Sequence, residues 1–485
     1  MEQYLVIIIG SGFGGQCAAI HLKRMGIQDF LILERRPFMG GTWCQNTYPG
    51  AAVDVPSPLY SIANEPYAWS QLFADQAELE RYTHHIIDRH GLRLKTRLNS
   101  NVTNVVWEDR MCSWIVSTET GVDYQCQFLI NAIGPLSTPK VPILKGQNVF
   151  RGETFHTNAW NHGFDYKNKR VAVIGSGASA AQIIPELAKE VKLLHVFQRT
   201  PHWVVPRNDK RFSRFQRRLL RNRAVYRIFR TYLYWKSECL FVGFKYSRWV
   251  LAYLAQRRAQ RHLATQVKDS DLRSRLTPDF TIGCKRIILS DTFYSALCQD
   301  NVALHDKDDS IKDITEFGVR TTQGKDLMVD AIIYATGYSA TDGLISYPVI
   351  GREGKILQDF WAEYPRAYLG TVVPQFPNFF IVMGPNTGIG HTSAIFMIES
   401  QMQYIMRAIQ RVIKSGKRTI EVRSKAEEKY TGWVHREMEK TVWKHGGCRS
   451  WYQGKGRRVI AIFPGFTFTY RLWTRLFRKG HHKIV

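Results

Sequence analysis

The chain carries the pattern G-x-G-x-x-G/A twice, each time between an apolar run and a helical pattern. In the first copy, Gly10-Ser11-Gly12-Phe13-Gly14-Gly15 follows the apolar residues 4–9 and opens a helical pattern over 16–25, with a second apolar run at 30–33. In the second, Gly175-Ser176-Gly177-Ala178-Ser179-Ala180 follows Arg170–Ile174, precedes a helical pattern over 181–190, and leads into Leu193–Phe197. Such a turn lets backbone approach a pyrophosphate, and the helix that follows presents free amides and a favourable dipole to it. One copy is weak evidence; two in matched strand–turn–helix settings predict an α/β chain with two dinucleotide-binding, Rossmann-like domains.

The copies differ at the end of the second strand. Glu34 lies 24 residues after Gly10, and Arg199 lies 24 residues after Gly175. A carboxylate there accepts hydrogen bonds from ribose hydroxyls and repels a 2′-phosphate, whereas a guanidinium forks onto that phosphate. The first site (Gly10, Gly12, Gly15, Glu34) is therefore expected to hold FAD, and the second (Gly175, Gly177, Ala180, Arg199) NADPH. The bland alternative is two structural βα turns with chance charges at their ends.

Lys plus Arg outnumber Asp plus Glu by 67 to 41, a formal charge of +26. Such an excess suits nucleic acid, an anionic membrane surface or a phosphate-rich ligand. No nucleic-acid motif accompanies it, so no nucleic-acid partner is expected. Eight cysteines, none in a C-x-x-C pair, form neither a disulfide framework nor a zinc ribbon, and no His/Cys cluster has metal spacing, so no metal is expected. The N-terminus lacks a basic region before its short apolar run, and no run of about 18 uncharged apolar residues occurs. The expectation is a cytoplasmic protein, with peripheral membrane contact as an open alternative.

Residues 207–263 contain no proline and interleave arginines such as Arg214, Arg217, Arg221, Arg227 and Arg230 with aromatic residues at helical spacing. This reads as a helical insertion, 207–281. A membrane-facing patch and a substrate lid compete there with a plain solvated face, the reading preferred for most of these arginines.

Four further motifs stand out. They are Phe150-x-Gly152-x-x-x-His156-x-x-x-Trp160-Asn161; Gly40-Gly41-Thr42-Trp43 running on to Tyr48-Pro49-Gly50 and Asp54; Gly283-Cys284-Lys285-Arg286; and Tyr334-Ala335-Thr336-Gly337-Tyr338. Together they resemble the Baeyer–Villiger monooxygenases, class B flavoprotein monooxygenases, from Gly10 to about Tyr452. Asn161 stands where the family fingerprint usually has Pro or Asp.

The resemblance implies NADPH- and oxygen-dependent insertion of one oxygen atom next to a ketone carbonyl, by way of a flavin peroxide, giving an ester or lactone. It implies Arg286 as the fixed cation that stabilises the oxygen adduct, with Asp54 as its partner. It places Gly41, Thr42, Trp43, Asp54, Tyr60 and Val102 along FAD, and Lys285 with Arg199 on the NADPH 2′-phosphate. His156 is implied to couple the two domains rather than to transfer protons. The helix after Gly388-Ile389-Gly390-His391 is expected to point its N-terminus at the flavin, with no chemical role for His391. The small-molecule partners are then a ketone and dioxygen. Competing readings are a nitrogen- or sulfur-oxygenating flavin monooxygenase and a membrane-associated flavin electron carrier. The expected layout is an FAD-binding domain from 1–147 and 326–485, and an NADP-binding domain from 148–206 and 282–325.

Overall fold

The structure, a computed structural model, describes residues 1–339 and 344–485; four residues of the expected 326–485 segment lie outside it. Two parallel-rich sheets organise the chain. In the first, the central strand Glu2–Ile9 is flanked by Phe30–Leu33 and Asp123–Asn131, both parallel to it, with Ile7 opposite Leu31 on one side and Leu129 on the other. Its inner residues Val6, Ile7 and Ile8 are fully buried, which is why this run is continuously apolar rather than alternating. The strands Val102–Glu108 and Ser113–Thr118 extend the sheet as an antiparallel meander onto Asp123–Asn131. Phe379–Ile381 also pairs with Asp123–Asn131, so the C-terminal part of the chain returns to the first sheet.

The second sheet is wholly parallel, in the order Val302–His305, Leu193–Phe197, Arg170–Ile174, Ala331–Tyr334, Glu153–His156. A strand from beyond the boundary expected at 326 takes part in this sheet. Ala331–Tyr334 hydrogen-bonds between Arg170–Ile174 and Glu153–His156. A sheet-central strand cannot leave without stranding the ladders on both sides of it. Ala335, immediately after it, forms the floor against which Gly175 turns.

The insertion is helical. Arg214–Leu220, Arg223–Cys239, Phe241–Lys245 and Arg257–Gln266 are its main helices. Arg214, Arg217, Arg218, Arg221 and Arg223 are exposed, as a solvated face requires, but Arg230 is buried. Among the described residues, no helix is long and apolar enough to cross a membrane. One finding was not expected from the cysteine pattern: Cys284 and Cys448, 164 residues apart, form a disulfide. The bridge ties the segment bearing Lys285 and Arg286 to the C-terminal part of the chain.

Candidate functional site

The first turn is built by close packing. Gly10 takes φ +100°, a conformation that disfavours side chains, and a Cβ there would lie 2.7 Å from the carbonyl oxygen of Ala132. A Cβ on Gly15 would lie 1.9 Å from the carbonyl oxygen of Gly10, so only glycine lets helix Phe13–Arg24 approach the strand this closely. Gly41 touches Gly12, bringing the Gly40-Gly41-Thr42-Trp43 turn onto the first one. Glu34 is buried, and one of its carboxylate oxygens accepts hydrogen bonds from the Ser11 amide (3.0 Å) and hydroxyl (2.7 Å). The other accepts from the Arg36 amide. Val102 starts the strand that follows this corner, where the Ser100 amide donates to the Glu34 carbonyl; its side chain is buried in the core under the first sheet.

The second turn has the same path with fewer closures. Gly175 has φ +133° and meets the Ala335 carbonyl, but nothing lies within 4 Å of a Cβ built on Gly177. Ala180 replaces the third glycine and is fully buried. Both helices that follow the turns begin without a side-chain cap and without an acidic residue in the first turn. Their leading amides therefore suit an external anion, as a dinucleotide pyrophosphate would supply. Arg199 is exposed. Burial, and then the charge of Arg199, pull the Lys285 ammonium below its ordinary value. Two cations that repel each other, neither with a carboxylate in contact among the described residues, fit a phosphate between them.

The two units meet through Tyr48-Pro49-Gly50. The Tyr48 hydroxyl donates to Gln182 Oε1 (3.0 Å) on the helix after the second turn, and a Cβ on Gly50 would lie 2.5 Å from the Gln182 carbonyl. Tyr338 donates to Asn46 (2.7 Å) and accepts from Asn158 (3.2 Å), closing the same seam. His156 closes the turn by accepting the Asn158 amide at Nδ1 (3.0 Å), and burial lowers its pKa. Trp160 packs edge-on against Phe155, and Asn161 caps the next turn by accepting the Gly163 amide.

Arg286 and Asp54 come together across this seam although 232 residues separate them. Nε of Arg286 donates to Asp54 Oδ2 at 2.5 Å, and Nη2 donates to Oδ1. The carboxylate raises the guanidinium further above its ordinary value, against the opposing effect of burial. The Arg286 side chain keeps 38% of its surface accessible although it lies deep in the fold, so it lines a cleft. The fork uses one edge of the guanidinium; among the described residues, Nη1 has no hydrogen-bond partner. Trp43 donates to the Tyr60 hydroxyl (3.2 Å), which stands near the pair.

Tyr452 is the residue that sequence reasoning missed. It is buried beside Arg286, its hydroxyl has no partner, and burial pushes its pKa up to about 12 despite the nearby guanidinium. Its motif-free setting left no signal. A second unforeseen gathering is Cys44, Glu80 and His84, whose ligand atoms lie within 4.8 Å of one another, in a chain where no metal was expected. Burial pushes the Cys44 thiol up to about 12, and its sulfur lies 3.9 Å from His84 Nε2. The His391 ring is buried against Phe241, with Glu238 Oε2 3.4 Å from Nε2.

Comparison with known proteins places this geometry. A family profile described as pyridine nucleotide-disulphide oxidoreductase matches residues 7–228. A "Baeyer-Villiger monooxygenase" of Pseudomonas aeruginosa is 40% identical over 99% of this chain and 91% of its own length. One of Streptomyces coelicolor is 39% identical over 100% of this chain and 93% of its own. Among solved structures, OTEMO in complex with FAD and NADP superposes with a TM-score of 0.91 at 28% identity, covering 99% of both chains. Cyclohexanone monooxygenase from Rhodococcus sp. Phi1 bound to NADP+ gives 0.89 at 26% identity, covering 100% of this chain and 99% of that one.

Proposed function

The chain belongs to the Baeyer–Villiger monooxygenases, and from that premise we propose that it uses FAD and NADPH to insert an oxygen atom from dioxygen next to a ketone carbonyl, with Arg286 as the essential cation. The observation that carries the assignment is the Arg286–Asp54 fork, formed across the seam between the two units. FAD, when bound and reduced, supplies the oxygen-activating chemistry. The chain's own groups do the rest.

Gly10, Gly12, Gly15, Glu34, Gly41, Thr42, Trp43, Asp54, Tyr60 and Val102 would hold FAD. Gly175, Gly177, Ala180, Arg199 and Lys285 would hold NADPH. The uncapped helix starts and the unneutralised Arg199–Lys285 pair support this division. Asp54 orients Arg286 through Nε and Nη2 and leaves Nη1 to donate to a developing negative oxygen. A cation already in place there avoids reorganisation at the moment of reaction. Arginine suits the role because it stays charged at every working pH. Tyr452, neutral and with its hydroxyl unpaired, adds a second donor beside it.

The sheet pairing supports an FAD-binding unit of 1–147 plus the chain beyond the strand Ala331–Tyr334. It supports an NADP-binding unit of 148–206 plus the segment from 282 through that strand, with 207–281 inserted. The location is read as cytoplasmic, and peripheral membrane contact, the alternative left open by the sequence, is supported by the exposed Trp249, Tyr253 and Leu254 within the basic insertion. No nucleic-acid partner is proposed.

The test supplies NADPH, dioxygen and separate panels of ketones and thioethers to FAD-loaded protein. Ester or lactone from a ketone is the expected product. Sulfoxide alone across the panels would move the chain to the heteroatom-oxygenating reading, and flavin turnover with a quinone and no oxygenated product to the electron carrier.

A further inference from the structure

A cavity of about 470 Å3 lies between the C-terminal end of helix Phe13–Arg24, the insertion helix Arg223–Cys239, and the helices Ala394–Lys414 and Thr467–Arg475. It shares no residue with the cleft around Arg286, and its volume falls in the range of small-molecule sites, roughly 300–1,000 Å3. Five arginines line it, Arg24, Arg227, Arg230, Arg471 and Arg475, against one carboxylate, Glu399.

The charges do not cancel. Glu399 Oε1 accepts the Ala63 amide, and Oε2 is shared by Arg230 and Arg471, each at 3.3 Å. One negative charge thus faces two guanidinium groups. Arg24 is paired outside the cavity with Glu65 (3.1 Å). Arg475 donates only to the neutral Gln403, and Arg227 has no partner among the described residues. Arg230 is 8% exposed, and its Nε has no hydrogen-bond acceptor. Burial, and then Arg230 and Arg475, oppose protonation of Arg471, so the cluster repels itself even with Glu399 in its midst. Like-charged, partly desolvated guanidinium groups of this kind are stabilised by an oxyanion, and their planar forks match phosphate.

The rim adds a second property. Ile228, Tyr232 and Trp235 follow one another at helical spacing on Arg223–Cys239, next to the stripe bearing Arg227 and Arg230, and are 72%, 59% and 49% exposed. On Thr467–Arg475 and just past its end, Phe468, Leu472 and Leu476 form a matching exposed stripe beside Arg471 and Arg475. The two stripes meet where the Trp235 and Phe468 rings stand 5.8 Å apart. An anion-binding cavity bordered by a continuous apolar surface has the shape of an amphiphile.

We propose that this cavity seats the phosphate of an anionic phospholipid headgroup at a bilayer surface, while the Trp235–Phe468 stripe enters the acyl region. The proposal rests on the peripheral contact read above and gives it a site. Protein loaded with FAD and NADP+ is sedimented with phosphatidylcholine vesicles with and without phosphatidic acid, and is titrated calorimetrically with inorganic pyrophosphate. The pair R227Q/R475Q is compared with R214Q/R218Q, which removes the same charge from exposed positions outside the cavity. Retained flavin absorbance certifies folding of each.

Wild type is expected to sediment only with the anionic vesicles, to be displaced by pyrophosphate, and to lose about tenfold or more in partition on R227Q/R475Q but little on R214Q/R218Q. Equal losses in both variants would overturn the seat and leave a diffuse electrostatic contact. Pyrophosphate binding that R227Q/R475Q weakens, without vesicle binding, would overturn the lipid source in favour of a free phosphate. Absence of both binding signals would overturn the seat and the membrane contact together, with the monooxygenase reading untouched.

Discussion

The two glycine turns follow the same path, yet the first is closed and the second open. In the first, Gly15 sits against the Gly10 carbonyl, Gly12 against Gly41, and Glu34 is buried and tied back to Ser11. In the second, Gly177 borders open space, Ala180 carries the methyl that Gly15 cannot, and Arg199 stands exposed. A cofactor retained through every turnover gains from a tightly built cradle. One that must arrive and leave each cycle is better served by exposed charges that attract it and let it go. On the proposed assignment the same motif would serve a resident ligand at the first turn and an exchanging one at the second, and the difference would lie in what surrounds it.

Substituting one glycine in each turn would test the contrast most severely. Gly15→Ala is expected to yield protein without bound flavin, and so without activity, because the added methyl has no place to go. Gly177→Ala should keep its flavin and melting temperature and change only the KM for NADPH. Flavin absorbance per mole of protein reads the difference, and equal losses would break the contrast.

Next in size is Arg286→Ala, which removes the cation at the seam between the two units. Flavin reduction by NADPH should persist while ester formation falls by a factor of about 10² to 10³ or more. Rapid-mixing absorbance and product analysis separate these two steps. Ester formation at the wild-type rate would remove Arg286 from the chemistry.

The double variant R199A/K285A sharpens the electrostatic half of the comparison. The KM for NADPH should rise about 10- to 100-fold with kcat nearly unchanged, and the KM for NADH should stay constant. A parallel rise for NADH would mean that these cations do not read the 2′-phosphate.

The smallest effect concerns the fold around the second turn. Burial lowers His195 and His202 from 6.5 to about 4, and His482, in the first unit, likewise. The unfolded chain therefore binds protons between pH 6.5 and 4 that the folded chain refuses, so stability falls as pH drops through that window and is unaffected above it. The loss should be about 1 kcal/mol per histidine per pH unit, seen as a falling melting temperature. His195→Gln should flatten part of the slope.

Much of the site could be read before folding because its signals are local. The glycine spacings, the 24-residue offsets to Glu34 and Arg199, and the helical spacing of the insertion each lie within one short stretch of chain. The Arg286–Asp54 pair spans 232 residues and had no local signal; only likeness to a known family pointed to it. Contacts without such a precedent stayed hidden. The Cys284–Cys448 bridge, the Tyr48–Gln182 and Tyr338–Asn46 bonds and the setting of Tyr452 all join distant segments whose residue types are unremarkable in isolation. The pairing of Ala331–Tyr334 with Arg170–Ile174 was hidden for a related reason: an apolar run announces that it is buried, not which sheet will bury it.

The fork between Arg286 and Asp54 joins a segment from the second unit to one from the first. Neither half of the molecule can therefore assemble the cleft alone, and the ion pair reports whether the halves are in register. A substitution that only loosens the Tyr48–Gly50 seam, far in sequence from either charged group, would mimic a chemical lesion: cofactors bound, hydride delivered, and the cation turned away at the moment it is needed.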